Sequence, residues 1–301
     1  MTVKIVVAGS LLHDVVVNAP RLPRLDESLA GSGVNYIAGG KGANQAVAAS
    51  RHGATVAFAG RVGNDAAAQL MIAHLQGAQI DLSNLQRGTG HTGMSVAIVD
   101  EKGDFGAVTV AGANLDIDAD AISLPDGTSF LVLQNEIPDS VNVALAERAK
   151  ALGIKVVHNA APARPVAERL QAATDLLIVN RIEAGMLTGM DVTDRESAFQ
   201  AASSLAATVP EVIVTLGADG VIHCSRGGKP VTEPAFRAQV VSRHGAGDLF
   251  VGALVAQLAQ GSEIDAAIHY AQAAAALHVS TPVDRRHLIR PMQVRNRLGE
   301  D

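Results

Sequence analysis

Short apolar segments rich in β-branched residues alternate along the chain with Ala-rich segments that have helical spacing. The strand-like segments are "KIVVAG", "TVAFAGRVG", "FLVLQ", "KVVHNA", "DLLIVN" and "EVIVTLG". Helical segments such as "GANQAVAASRHG" and "SVNVALAERAKALG" end at Gly53 and Gly153, where glycine is typical of a helix C-terminus. This alternation predicts an α/β protein with a mostly parallel sheet covered by helices on both faces. In such a sheet, active sites lie at the C-terminal ends of the strands.

Two stretches interrupt the alternation. "TGMSVAIVDEKGDFGAVTVAGAN" is typical of two strands joined by a polar turn, and "DVVVNAPRLPRLDESLAGSGVNYIAGG" is extended and punctuated by proline. We expect a single domain over residues 1–301 in which about residues 12–38 and 91–112 form a small inserted β-sheet lid. The alternative is that both stretches are ordinary surface hairpins.

Composition excludes several classes of protein. Hydrophobic residues make up 48% of the 301 residues and charged residues 18%, so the chain is not disordered. A net charge of −6, only 3% aromatic residues and the absence of Trp argue against a nucleic-acid partner. Cys224 is the single cysteine, which leaves no internal disulfide and no cysteine zinc cluster. Without a signal peptide or an apolar run of about 20 residues, the protein is expected to be cytoplasmic and without a membrane partner.

The segment "AGGKGANQAVAAS" has the properties of a ligand-binding loop. Gly39, Gly40 and Gly42 lack Cβ atoms, so a ligand can approach the backbone closely. Lys41 and Asn44 add hydrogen-bond donors, and the helix that follows offers free amides. The loop is not a phosphate-binding Walker loop, because glycine follows the lysine where Ser or Thr is needed. A Gly-rich helix entry is the alternative, and the polar cluster favours the ligand loop.

Two further turns follow strand-like segments. In "LLIVNRIEAGMLTG", Asn180 and Glu183 lie three residues apart on one side of a helical turn. Such a pair can serve a hydrated Mg²⁺ and its phosphates, but an Asn N-cap with a capping-box Glu explains it better by itself. "VTLGADGV" ends a strand with a Gly-x-x-Gly turn that contains Thr215, Gly217 and Gly220, and alone it fits any hairpin.

The segment "HGAGDLFVGALVAQLAQG" raises a question about Asp248. This residue follows Gly245-Ala246-Gly247 at the start of a helix that is apolar on all sides. Such a helix is normally buried, so its N-terminus points into the protein or into a cleft. Free amides there can hold an anion beside the carboxylate. Alternatively, Asp248 only complements the helix dipole, and the segment alone favours that interpretation.

Taken in order, these segments resemble those of the ribokinase family of carbohydrate kinases, the phosphofructokinase-B type. "GGKGANQAVAA" and "HGAGDLFVGAL" are the most specific pieces, and "AGAN", "NAAPAR", "VNRIEAGMLTG" and "VTLGADGV" match between them, over nearly the whole chain. The resemblance implies a ribokinase-like doubly wound sheet with a lid, and an ATP-dependent kinase. It also implies γ-phosphoryl transfer to a hydroxymethyl group of a sugar or sugar-like substrate, with ATP and Mg²⁺. A lid suits this chemistry, because water in the site would accept the phosphoryl group.

The resemblance also implies residue roles. Asp248 is then the base that takes the proton from the sugar hydroxyl, and the amides of Gly245, Ala246 and Gly247 form an anion hole. The substrate-binding residues are Asp14, Gly39, Gly40, Lys41, Asn44 and Glu136. Those expected to bind ATP are Asn180, Thr215, Gly217, Gly220 and Gln272. Glu183 is the expected metal residue.

Departures from the family pattern limit these expectations. Ribokinases have an Asn two residues before the acid matched by Asp14; here Leu12 stands there, and a lost buried hydrogen bond costs ~1–3 kcal/mol. Ribose is therefore in doubt. Ser242-Arg243-His244 replaces Asp-Thr-Thr, whose Asp normally helps bind a monovalent cation, so K⁺ activation stays open. Arg243 is hypothesised to fill that space or to bind an acidic group, in which case Arg243→Ala changes a kinetic constant. The tail "STPVDRRHL" lacks the family's Gly-rich loop and is typical of a charged surface.

Three alternatives to a sugar kinase remain. A nucleoside kinase of the same fold would need room for a base beside the sugar. A catalytically weak sugar-binding regulator is disfavoured because Asp248 and its flanking glycines are retained. An NAD-dependent oxidoreductase is disfavoured because "GSGVNY" lacks the third glycine of the dinucleotide fingerprint. A lid with an apolar outer face would favour a homodimer.

Overall fold

A mostly parallel sheet forms the body of the protein. The computed structural model describes residues 2–101 and 105–299. Within these residues, the main sheet contains β1 (Ile5–Ala8), β4 (Val56–Val62), β5 (Asp81–Arg87), β8 (Phe130–Gln134), β9 (Lys155–Asn159), β10 (Leu176–Asn180), β11 (Glu211–Thr215), β12 (Val221–Ser225) and β13 (Val231–Glu233). Their order is β13-β12-β11-β10-β9-β8-β1-β4-β5. Only β12 and β13 run antiparallel to their neighbours, at one edge.

Helices cover the two faces of this sheet, as the apolar strand segments predict. They are α1 (Lys41–Arg51), α2 (Ala66–Gly77), α3 (Asp139–Ala151), α4 (Glu168–Ala173), α5 (Arg181–Thr188), α6 (Arg195–Ala206), α7 (Ala246–Ala259), α8 (Ile264–Ser280) and α9 (Pro291–Leu298). Along β1, Ile5 and Val7 pack into the core that contains α1, α7 and α8. Val6 and Ala8 pack into the opposite core with α3 and α4. The alternation confirms burial on both faces.

A second, smaller sheet joins the two stretches that interrupt the alternation. Its strands are β2 (Leu12–Asn18), β3 (Gly33–Gly39), β6 (Gly93–Val99) and β7 (Phe105–Val110), in the order β3-β2-β6-β7. Because β2 pairs with β6, the two stretches form one sheet, and the alternative of separate surface hairpins is wrong. Part of the predicted turn between β6 and β7 lies outside the described residues. The division into one domain with a lid stays a prediction.

Across residues 2–101 and 105–299, none of the helices combines the length and the hydrophobicity that crossing a bilayer requires.

Helices α1 and α7 pack together unusually closely at Gly252. A Cβ atom on Gly252 would clash with the Cβ of Ala48 and would lie 2.6 Å from the carbonyl oxygen of Gln45. Only glycine therefore allows the two helices this approach. Both helices begin at the same edge of the main sheet, so this contact brings their N-termini together.

We expect Gly252→Ala to lower the free energy of unfolding by about 1–3 kcal/mol, because the added methyl group forces α1 and α7 apart. Gly77→Ala is the matched control: this glycine ends α2, and a Cβ there would meet no atom within 4 Å. The control is expected to change stability by less than about 1 kcal/mol, in the stabilising direction. Urea unfolding measures both. Equal stability of the two variants would contradict this account of the helix contact.

Candidate active site

The candidate residues gather at the C-terminal edge of the parallel strands, as expected for a sheet of this kind. Ser10 follows β1, Glu136 follows β8, and Asn180 ends β10. Helices α1 and α7 begin at this edge, and a cleft between them is lined by Gly39, Asn44, His244, Gly245 and Asp248. The structure thus brings the Gly-rich loop and the Gly-Ala-Gly-Asp segment into one cleft.

Asp248 is held by two amide side chains from α1. Its Oδ2 accepts a hydrogen bond from Nδ2 of Asn44 at 3.0 Å, and its Oδ1 accepts one from Nε2 of Gln45, also at 3.0 Å. Both oxygens of the carboxylate are therefore oriented by α1, beyond the interaction with the dipole of α7. Asn44, predicted from the family to hold a sugar hydroxyl, contacts the carboxylate here.

Gln45 extends this contact into the interior of the sheet. Gln45 and Gln134 are both fully buried, and Nε2 of Gln134 donates to Oε1 of Gln45 at 2.8 Å. Nε2 of Gln45 also lies 2.9 Å from Oδ1 of Asn159. Sequence analysis missed this chain of amides, although a signal exists: Gln134 and Asn159 end apolar strands, and Gln45 interrupts an Ala-rich buried helix. This series of amide hydrogen bonds fixes the position of Asp248 relative to the sheet.

One of the three amides predicted to bind an anion at the start of α7 donates a hydrogen bond within the turn. Gly245 is in the left-handed conformation (φ 73°), which favours glycine. The amide of Ala246 donates to the carbonyl of Arg243 at 3.2 Å, so a turn already uses it. In the described part of the chain, the amides of Gly245 and Gly247 have no acceptor. The turn into α7 uses the amide of Ala246, and the anion hole of Gly245, Ala246 and Gly247 stays a prediction.

Glu136 connects β8 to the start of α1. One of its oxygens, Oε2, accepts from the amide of Lys41 at 2.8 Å and from the hydroxyl of Ser10. Its other oxygen lies 4.0 Å from Nζ of Lys41. The predicted substrate residues Glu136 and Lys41 therefore lie together and orient each other.

Asp14 lies on β2 and faces the loop that leads into α1. Its carboxylate accepts a hydrogen bond from the hydroxyl of Ser95 on β6. Burial raises the pKa of Asp14, and the bond from Ser95 offsets part of that rise. A Cβ on Gly39 would lie 2.8 Å from Cγ of Asp14, and Gly40 has φ 91° with Ser10 packed against it. Glycine is needed at both positions, and the absence of a Cβ atom on Gly39 leaves room for the carboxylate of Asp14.

Asn180 and Glu183 form the capping box that the spacing alone favoured. Oδ1 of Asn180 accepts from the amide of Glu183 at 3.0 Å, and Oε2 of Glu183 accepts from the amide of Asn180 at 2.7 Å. Burial raises the pKa of Glu183, the charge of Asp248 adds to the rise, and Lys41 opposes it. In the described residues, the other oxygen of Glu183 has no partner, so capping leaves it available to a metal ion.

A magnesium ion fits this arrangement only if water and phosphate supply most of its ligands. Among the residues that the structure describes, no group of three or more His, Cys, Asp or Glu side chains could hold a metal ion. Mg²⁺ commonly uses one or two carboxylates and keeps several waters in sites that bind nucleotide phosphates. Glu183 offers one such carboxylate, and its side chain is largely buried, at 6% exposed.

Four of the residues predicted to bind ATP lie on or beside strands β11 to β13, at one side of the main sheet. Thr215 ends β11, and the turn after it contains Gly217 and Gly220, whose φ values are 63° and 93°. A Cβ on Gly220 would clash with the carbonyl of Glu233 on β13. Gln272 on α8 is buried, and its Nε2 lies 3.5 Å from that same carbonyl. The turn and Gln272 therefore meet at β13.

Comparison with known proteins agrees with this geometry. A family model described as pfkB family carbohydrate kinase matches residues 2–287. The ribokinase of Haemophilus influenzae is 35% identical over 280 residues, which cover 91% of each chain. The deoxyribokinase of Salmonella typhimurium is 31% identical over 284 residues, which cover 92% of each chain. The structure of Arabidopsis thaliana ribokinase complexed with ribose and ATP matches with a TM-score of 0.91 at 29% identity and covers 99% of both chains.

Similarity of this extent, together with the sheet and the cleft, defines the class: the protein is an ATP-dependent carbohydrate kinase. Within that class, the chain belongs to the pfkB family. The family predicted from the six motifs is thereby confirmed, as is the ribokinase-like fold.

We expect Gln45→Met to lower kcat about tenfold, because the loss of one hydrogen bond of about 1.4 kcal/mol leaves the Asp248 carboxylate less well oriented. KM for ATP is expected to change less than about twofold, since none of the hydrogen bonds of Gln45 involves a residue predicted to bind ATP. Steady-state kinetics test this, with Gln200→Met on the exposed side of α6 as the matched control. Unchanged turnover of Gln45→Met would show that Asp248 needs no support from the sheet.

Proposed function

We propose that this kinase transfers the γ-phosphoryl group of ATP to a hydroxymethyl group of a pentose, with Asp248 as the base. The observation that carries the proposal is the position of the Asp248 carboxylate. Asn44 and Gln45 hold both of its oxygens, and the uncommitted amides of Gly245 and Gly247 lie beside it at the start of α7. A carboxylate is a weak base, so its positioning must supply most of its effect, as a loose phosphoryl-transfer transition state requires.

Asp248 and the amides at the start of α7 have different proposed roles. Asp248 accepts the proton of the attacking hydroxyl, while the amides of Gly245 and Gly247 donate hydrogen bonds to the γ-phosphoryl oxygens. The N-terminal end of the α7 dipole adds to that stabilisation. When bound, Mg²⁺ neutralises charge on the phosphates, and Glu183 with Asn180 would hold it through its water ligands.

The relatives support ribose as the first candidate substrate. Asp14, Lys41 and Glu136 offer the sugar side of the cleft two carboxylates and an ammonium group, which suit a polyhydroxylated ligand. Two proteins similar to this chain are a ribokinase and a deoxyribokinase. Both names are consistent with a pentose.

Leu12 supports 2-deoxyribose as the second candidate. It is 6% exposed and occupies the position where the resemblance expects an Asn. An apolar side chain there forms no hydrogen bond to a hydroxyl, which disfavours a fully hydroxylated sugar by ~1–3 kcal/mol. A sugar that lacks this hydroxyl loses no hydrogen bond at Leu12.

The small sheet is proposed to act as a lid within a single domain. Asp14 on β2 and Ser95 on β6 extend from this sheet to the sugar side of the cleft, so a bound sugar contacts both the sheet and the body. Closing the sheet over the sugar would exclude water, which competes with the sugar for the phosphoryl group.

The outer face of that sheet is proposed to bind a second copy of the chain. Register places Tyr36, Val15, Val96 and Val108 side by side across its four strands. Tyr36 is 63% exposed and Val108 is 69% exposed. The outward positions of the four strands include no Asp, Glu, Lys or Arg. An exposed apolar face that extends across four strands is typical of an interaction surface.

We expect Asp248→Asn to lower kcat by at least ~100-fold, the low end for loss of a positioned base, with a modest change in ATP affinity. An ADP-release assay with ribose, 2-deoxyribose, fructose and adenosine measures turnover and also ranks the substrates. Asp126→Asn is the control, since this exposed acid precedes β8 at the opposite edge of the sheet. Near-wild-type turnover of Asp248→Asn would end its assignment as the base, and adenosine as the best acceptor would favour the nucleoside kinase.

We expect Val108→Asp to convert a dimer into monomers, because it places a charge at a highly exposed position of the apolar face. Sedimentation velocity should give twice the 31.0 kDa chain mass for the wild type and the single mass for the variant. Val231→Asp, at a 60% exposed position on β13, is the control and should remain a dimer. A monomeric wild type at micromolar concentration would contradict the proposed contact.

A further inference from the structure

A largely buried arginine contacts the segment that leads into α7. Arg286 belongs to the 3-10 helix Val283–Leu288 and is 9% exposed. Its guanidinium donates to three backbone carbonyls: Nη1 to His244 at 2.7 Å, Nη2 to Ser242 at 2.7 Å and Nε to Thr281 at 3.2 Å. Within the described residues, no carboxylate pairs with it. The guanidinium stays charged in proteins, so backbone dipoles alone compensate a buried positive charge.

Residues 242–244, which we call the strap, run directly into Gly245 and α7. The amides of Val241 and Ser242 donate to the carbonyl of Val279 near the end of α8, at 2.7 and 3.2 Å. Nε2 of His278 lies 2.9 Å from the carbonyl of His244, which also accepts from Arg286. The strap is therefore tied to the end of α8 at several points, and Arg286 holds its two outer carbonyls together.

Convergent backbone carbonyls are also the ligands that monovalent cations use in proteins. The family resemblance implies such a cation beside the strap, and the residues present do not fit one. Ser242 stands where an Asp would supply a ligand. The carbonyls of Ser242 and His244 already accept hydrogen bonds from Arg286, and a cation close to the guanidinium would be repelled.

We propose that the Arg286 guanidinium takes the place of a monovalent cation and positions the strap, so that phosphoryl transfer needs no K⁺. This inference rests on the proposed function, because the strap leads into the amides of Gly245 and Gly247 assigned to the γ-phosphoryl group. Arg286 is a positioning residue, since it acts through the strap. Arg243, which sequence analysis hypothesised to fill this space, is exposed, and its side chain has no partner among the described residues. The buried charge is that of Arg286.

The first experiment compares the turnover of the wild-type protein in three different salts. Turnover of the best pentose is measured in KCl, NaCl and choline chloride at equal ionic strength. We expect kcat values within about twofold of one another and thermal midpoints within about 1 °C, since no cation binds the folded state preferentially. A tenfold activation by K⁺ relative to choline would overturn the proposal.

The second experiment removes the guanidinium. In choline chloride, Arg286→Ala should lose at least about tenfold in kcat, with a smaller change in KM for the sugar because the strap lies on the phosphate side. K⁺ or millimolar guanidinium chloride should restore part of the loss, since either can bind the vacated carbonyls. A loss that no cation restores would reduce Arg286 to a structural role and overturn the proposal.

Two further variants complete the test. Arg285→Ala removes the same charge from the exposed neighbouring residue and should leave kcat and its salt response unchanged. Arg286→Lys keeps the charge with fewer fixed donors, so it should retain more activity than Arg286→Ala and remain independent of K⁺. If Arg286→Ala does not fold, activation of Arg286→Lys by K⁺ overturns the proposal, and its indifference to K⁺ supports it.

Thermal unfolding separates this inference from the proposed function. If the wild type phosphorylates no pentose, the proposed function fails, but the comparison of midpoints in KCl and choline chloride still applies. K⁺ that stabilises only Arg286→Ala supports the replacement of a cation. K⁺ that stabilises the wild type equally overturns it.

Discussion

The packing of α1 against α7 is the constraint on which the site depends. Asp248 and its partners Asn44 and Gln45 lie more than 200 residues apart in sequence, and they meet because the two helices touch at Gly252. The carboxylate is then fixed from one side by α1, and the free amides are fixed by the turn that begins α7. The relative position of the proposed base and the proposed anion hole therefore depends on the hydrophobic core, where close packing leaves little freedom to shift.

Charge is distributed unevenly around this contact. Burial raises the pKa values of the Asp14 and Glu183 carboxylates, which lie at the positions proposed for the sugar and for the metal ion. Arg286 lines the same cleft as Gly245 and Asp248, and backbone carbonyls are the only partners of its guanidinium in the described structure. A fixed positive charge near the proposed anion hole favours a phosphoryl group that gains negative charge, because dipoles and charges that are already oriented need no reorganisation during the reaction.

Local patterns predicted the parts of the structure that local physics determines. Continuous apolar strands predicted the parallel sheet. The Asn180–Glu183 spacing had two interpretations, and one of them was the capping box that forms. Contacts between distant elements depend on tertiary packing. Gln134 and Asn159 are visible in the sequence as polar ends of apolar strands, but no local pattern shows that Gln45 connects them to Asp248. In "VDRRHL", two neighbouring arginines look alike in a polar tail, and only tertiary packing buries Arg286 while Arg285 stays exposed. Nor does any pattern show that a turn occupies the amide of Ala246.

The small sheet carries two proposed surfaces on the same strands, and the alternation of side chains ties them together. Along β2, Asp14 faces the proposed sugar site while Val15 faces outward, and pairing with β6 aligns Asp14 with Ser95 and Val15 with Val96. A shift of register by one residue would exchange the two faces. A substitution that impairs both sugar binding and self-association therefore indicates a changed register, whereas one that impairs only one of them indicates a local effect on that face.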